Sequence, residues 1–167
     1  MQRIQTITPC LWFDHQAEQA VRFYIQTFGG SSRILSTRYY SDVGTEIHGR
    51  PAGSVMAISF ELDGQQFSAL NGGPHFKFTE AISLQVNCQS QAEIDHYWNT
   101  LGEEGDPQAQ VCGWLKDRYG LSWQVVPVRL FEMIEDQDAD KAGRVMAAML
   151  QMKKMDLAAL EHAYEGD

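Results

Sequence analysis

The chain has 167 residues, 44% hydrophobic and 21% charged, with a formal net charge of −9, which suits one domain or two small modules sharing a core. Wholesale disorder, collagen and coiled coil are excluded by composition, and no run approaches the ~20 apolar residues of a membrane span. The acidic balance opposes phosphate-tracking electrostatics, so neither nucleic acid nor a membrane is an expected partner.

Residues 1–76 hold 5 Lys/Arg and 6 Asp/Glu; residues 77–167 hold 8 and 16, so the negative excess lies almost wholly in the second half. It falls in segments that read as loops and helix ends, a solvated face. Met1-Gln-Arg-Ile begins no signal peptide. Cys10, Cys88 and Cys112 are odd in number and widely spaced, which fits neither a disulfide framework nor a zinc site and points to a reducing cytoplasm.

In chain order, Ile4 to Phe13 is β-rich and ends at Asp14, a helix N-cap candidate. Ala17, Ala20, Val21, Tyr24 and Phe28 follow at helical spacing until Gly29-Gly30. A strand over 33–39 precedes a polar stretch, Ser41–Gly53, which reads as a surface loop or a lid. Strands over 54–62 and 65–70 flank the hairpin signal Asp63-Gly64, and Asn71-Gly72-Gly73-Pro74 breaks the chain. The order then restarts: strand 81–86, helix 90–101, a short strand after Pro107, and strands 112–116 and 122–126. An apolar stripe at Ala142, Val145, Met146, Met149, Leu150 and Met152 marks a C-terminal helix, and Asp156 caps another. That stripe fits packing or a subunit contact.

The restart predicts an internal repeat of two β-α-β-β-β modules, 1–76 and 77–135, with a helical extension over 136–167, in one α+β structural domain. A shift of 74 lays Thr8, Cys10 and Trp12 on Ile82, Leu84 and Val86 and also aligns the helices; a shift of 75 aligns two Gln-Ala-Glu triplets. The shift of 74 is preferred, although one residue exchanges the faces of a strand. Each helix covers one face of its small sheet, so the predicted architecture is a curved mixed sheet whose helix-free side forms a trough for a small ligand.

The motif inventory is short. No glycine-rich phosphate cradle, Gly-x-Ser-x-Gly elbow or His-Glu-x-x-His helix occurs. Of five histidines, His15, His96 and His162 read as surface, whereas His75 follows a Gly-Gly-Pro break and precedes Phe76 and Phe78, where an imidazole could orient a ligand. Cys10 and Cys88 read as small hydrophobes.

Ile7-Thr-Pro-Cys-Leu-Trp-Phe-Asp14, Phe67-Ser-Ala-Leu-Asn-Gly-Gly-Pro-His75 and Cys112-Gly-Trp-Leu-Lys-Asp-Arg-Tyr-Gly-Leu-Ser-Trp-Gln-Val-Val-Pro127 resemble the PhnB-like, 3-demethylubiquinone 3-methyltransferase-like branch of the vicinal-oxygen-chelate (glyoxalase/bleomycin-resistance) superfamily. The resemblance implies paired β-α-β-β-β modules, a trough and a homodimer. In metal-using members of that superfamily, His, Glu or Gln side chains enter the trough at positions that correspond here to Ile7, Ser68, Ala81 and Gln124. Only Gln124 could ligate, and a divalent ion needs three or four good donors. A replacement set from His75 and Glu80 is the alternative.

The expected function is a dimeric small-molecule-binding protein, with no metal and no cofactor, that takes an apolar or aromatic-containing metabolite. Its candidate binding residues are Leu11, Phe13, Ser68, Asn71, His75, Phe76, Trp114 and Gln124. The alternatives are a lyase-, isomerase- or dioxygenase-like enzyme on an aromatic, quinone or keto metabolite, with His75 as acid-base and Asn71 as donor, and a trough filled by its own side chains. Methyl transfer is not expected, because no donor site is recognisable.

Overall fold

The structure is a computed structural model that describes residues 5–166. The chain divides into two compact units, residues 1–77 and 78–167.

The first unit runs β1 (Cys10–Phe13), α1 (Ala17–Phe28), β2 (Arg33–Tyr39), α2 (Thr45–His48), β3 (Val55–Leu62) and β4 (Gln65–Asn71). Its strands form one sheet in the order β1-β4-β3-β2, with β1 parallel to β4 and the other pairs antiparallel. Small residues on the buried stripe of α1 (Ala17, Ala20, Val21) let the helix lie close to the sheet. The core beneath it includes Leu11, Phe13, Ile58, Phe60, Phe67 and Ala69, with the rings of Phe60 and Phe67 stacked at 5.5 Å.

The second unit runs β5 (Ser83–Cys88), α3 (Gln91–Gly102), β6 (Trp114–Lys116) and β7 (Ser122–Pro127), followed by α4 (Val128–Ile134), α5 (Ala139–Met149) and α6 (Leu157–Glu165). Its sheet has the order β5-β7-β6, again with the first strand parallel to the last. The strand expected after Pro107 is replaced by a 3-10 turn over Pro107–Ala109, where the Asp106 carboxylate accepts the Gln108 N–H. Proline supplies no backbone donor to a ladder, so a cap and a turn are the better solution there. The helix α4 was not anticipated: Val128 follows a strand directly, with no polar break to announce it.

The buried faces of the two units follow different offsets in strand and helix. Leu11 and Phe13 correspond in burial to Val86 and Cys88, an offset of 75; Ala20, Tyr24 and Thr27 correspond to Ile94, Trp98 and Leu101, an offset of 74. The connection between strand and helix has three residues in the first unit and two in the second, which absorbs the difference. The preference for 74 in the strands therefore set Trp12 over Val86 on opposite kinds of face.

One buried polar side chain organises a turn of the second unit. Asp117, 3% exposed, accepts N–H bonds from Tyr119 and Leu121 and the indole N–H of Trp123 at 2.8–3.1 Å, closing the β6–β7 connection. The methionine-rich tail is strapped to the same unit: Cys112 and Gly113 donate their N–H groups to the carbonyls of Met152 and Lys153, and Met155 is fully buried. Asp156 caps α6 through the Ala159 N–H, as expected.

Replacing Asp117 by Asn sets an NH2 donor or a weaker acceptor against three N–H groups. We expect Asp117→Asn to cost about 1–3 kcal/mol in urea unfolding. The thiols differ as well: Cys10 is exposed, while burial pushes Cys88 up to about 12. A thiol reagent at pH 8 should label native Cys10 rapidly and reach Cys88 only on unfolding, because the thiolate is the nucleophile.

Candidate functional site

The faces of the first sheet can be assigned from Asn71. Its side chain, 7% exposed, accepts the Ala17 N–H at 2.9 Å and donates to the Val55 carbonyl at 3.0 Å. Asn71 therefore points toward α1, and its register partner Phe13 shares that face. Alternation puts Leu11 and Ala69 there too, and Cys10, Trp12, Ser68 and Leu70 on the helix-free face. Leu11 and Phe13, expected as ligand contacts, are thus core residues beneath α1, because strand parity turns them inward.

Asn71 is also turned toward α1, away from the helix-free face on which a ligand was expected. Both ends of its amide are engaged within the fold, and its backbone carbonyl accepts the Tyr40 hydroxyl at 2.7 Å. It supplies the helix N-terminal acceptor that Gln16, at the N-cap position, does not. Asp14, the expected cap, instead accepts from Arg50 Nη2 at 3.0 Å, and the same nitrogen reaches the Asp14 carbonyl. The Arg50 guanidinium holds the Asp14 carboxyl below its ordinary value, so the ion pair persists through the usual carboxylate range and is lost only as pH falls beneath it.

On the helix-free face the most defined feature is Trp12. Its Nε1 donates to the Gly73 carbonyl at 2.8 Å, and Phe76, 65% exposed, meets its ring edge-on at 4.8 Å. Gly72 makes this possible: a Cβ there would stand 2.2 Å from Trp12 Cζ2. Beside Trp12 the same face carries Leu70, its register partner, with Cys10, Ser68 and, by register, Ser59 and Ala57, all uncharged, and Arg38 lies beyond Ala57. His75, in the loop that follows, is exposed.

In the second sheet Leu115 lies against the end of α3, its Cδ2 3.9 Å from where a Gly102 Cβ would be, so Leu115 and its partner Trp123 mark the helix side. Trp114 and Gln124, paired directly across the ladder, are on the other face with Ser83 and Gln85, and both are half-buried. Gln124 Nε2 donates to Ser83 Oγ at 2.8 Å. Ser68, Phe76, Trp114 and Gln124 are therefore placed clear of the helix faces, and Leu11, Phe13 and Asn71 are not.

At the positions implied for a metal, Ile7 and Ala81 offer no donor and Ser68 only a hydroxyl, so the residues present do not fit a divalent ion. Glu80, suggested as a substitute ligand, is ion-paired to Lys116, which lowers its pKa. Among the described residues no group of three or more His, Cys, Asp or Glu gathers closely enough to hold a metal.

The polar stretch 41–53 is an ordered excursion rather than an open loop. Its base is closed by Tyr40 N–H to the Ser54 carbonyl and Gly53 N–H to the Tyr40 carbonyl. His48 Nδ1 accepts the Arg50 N–H at 3.0 Å, and its ring rests on Tyr40 at 4.5 Å. Neither Arg50 nor Tyr40 stood out in the sequence, because their partners are 31 to 36 residues away.

The sequence profile for 3-demethylubiquinone-9 3-methyltransferase matches residues 5–126. A PhnB protein from Bacillus cereus, provisionally named as such an enzyme, is 34% identical over 74% of this chain and 100% of its own, with a TM-score of 0.62. The protein PA1353 from Pseudomonas aeruginosa is 22% identical over 74% of this chain and 98% of its own, with a TM-score of 0.54, a likeness of fold. No curated protein matches significantly.

Removing the Asn71 amide orphans the Ala17 N–H and the Val55 carbonyl together. Asn71→Ala should lower stability by about 2–4 kcal/mol in chemical unfolding. Amide exchange should accelerate first at the start of α1.

Proposed function

The chain belongs to the PhnB-like 3-demethylubiquinone-9 3-methyltransferase family, and on that premise we propose that it is a small-molecule-binding protein that works without a resident metal. The ligand is an aromatic-containing metabolite of low charge, taken against the helix-free face of the first sheet. The observation that carries this reading is Trp12: an indole anchored by its N–H, braced by an exposed Phe76, and beside the uncharged Leu70, Cys10 and Ser68 on the same face. A rigid aromatic wall beside uncharged groups suits a planar ring.

The family name is not carried over as an activity. Methyl transfer requires a bound donor, and the sequence has no glycine-rich cradle for a nucleoside. Acid-base chemistry at His75 assisted by Asn71 is not favoured, since that amide is buried against α1 and bonded to Ala17 and Val55. We also assign a homodimer in a reducing cytoplasm, with the exposed Met146 and Leu150 of the C-terminal helices as the contact. No helix among the described residues is long and apolar enough to cross a membrane.

A thermal-shift screen with quinones, phenols and α-keto compounds tests the reading, with elemental analysis of protein purified without chelator. Burial of one ring supplies a few kcal/mol at ~25 cal/mol per Å2, so at least one aromatic class should raise Tm by several degrees. Trp12→Ala should abolish that rise. No stabilisation by any class, or one equivalent of tightly held zinc, nickel or iron per subunit, would overturn it.

A further inference from the structure

A separate cavity of about 220 Å3 opens on the first unit beside the N-terminal turn of α1. Arg50, Tyr40, Val55, Glu18 and His15 line it, with Asn71 at its base. Asn71 points toward α1 and the cavity lies at the end of the sheet; Trp12 is not among its lining residues, although its indole binds the Gly73 carbonyl and Arg50 Nη2 stands 3.0 Å from where a Gly73 Cβ would be.

We infer that this cavity is a second binding site, for a small monocarboxylate with an apolar body, held by Arg50. Three features point to that ligand class. The first is the state of the cation. Arg50 is three-quarters buried at its side chain and is fixed through one nitrogen, Nη2, to Asp14. Among the described residues its Nε and Nη1 have no hydrogen-bond partner, leaving single charged N–H donors for an incoming carboxylate.

The second is a preorganised wall. The Tyr40 ring is held at its hydroxyl by the Asn71 carbonyl and at its face by His48. With Val55 and Pro51 it gives an apolar surface that needs no rearrangement on binding. A volume below the ~300–1,000 Å3 of larger ligand sites limits the occupant to on the order of ten non-hydrogen atoms.

The third is the local charge. Glu18 sits on the rim, paired to Arg22 at 2.9 Å, and Asp14 already meets Arg50. One further negative charge can be accepted by the free side of the guanidinium, while a phosphate dianion would face two carboxylates. The site thus selects a singly charged acid.

Benzoate is the probe, followed by chemical shifts of backbone amides, with benzyl alcohol as the uncharged isostere. Benzoate should perturb residues 15, 18, 40 and 50–55 with a Kd on the order of 1 mM, and benzyl alcohol should not. Arg50→Gln should weaken benzoate at least about tenfold. Because that change also removes the Asp14 contact, Glu18→Gln is the second variant; it should tighten benzoate about two- to fivefold by removing an opposing charge on an exposed helix position. Trp12→Ala should leave the titration unchanged, which separates this site from the one on the helix-free face. Equal response to benzyl alcohol, weaker or unaltered binding in Glu18→Gln, or loss of the response in Trp12→Ala would each overturn the inference.

Discussion

A single buried amide ties the first unit together. Asn71 closes β4, faces Phe13 across the parallel pair with β1, caps the first turn of α1 at Ala17, and holds the start of β3 at Val55. Its carbonyl reaches the end of β2 through Tyr40. Four strands and a helix therefore share one residue, and leaving any of its partners unpaired in the interior carries the full desolvation cost of that group. The placement of Arg50 and Tyr40 inherits from this knot, because Tyr40 is anchored to it and Arg50 leans on Asp14, in the turn between β1 and α1.

The second unit solves the same problem with different chemistry. Its helix has an ordinary cap, Ser90 accepting the Glu93 N–H, and needs no amide from the sheet. Its buried polar anchor is instead Asp117, in the turn that leads to the last strand. Its sheet has three strands among the described residues, and the tail of α4 to α6 and the Met152–Met155 strap add the apolar burial that a three-stranded sheet cannot provide by itself. The units are alike in the parallel pairing of first and last strands and unlike in what secures the turns.

Membership of the PhnB-like family rests on a profile covering most of the chain and on a relative one-third identical throughout its length. It constrains the fold far more than the chemistry, since site side chains can change on an unchanged scaffold. Here the first sheet carries the Trp12 indole on its helix-free face and the Arg50–Asp14 ion pair beside the start of α1, so its two sides differ in chemistry.

Much of this was legible in one dimension. Helical spacing in 17–28 and 91–102, the Asp63-Gly64 hairpin and the glycine breaks depend on neighbours within a few residues, so the order of elements and the α+β class could be read directly. Strand parity could not: whether Leu11 or Trp12 faces the helix depends on a one-residue choice in the connection to α1, which periodicity does not resolve. The roles of Asp14, Arg50 and Asn71 were equally hidden, because each is defined by a partner 36 to 54 residues distant. Local pattern determined which segments form and what they are made of; long-range hydrogen bonding in the folded chain decided which side chains are consumed as structure and which are left for a ligand, since a buried polar group must first be satisfied where it stands.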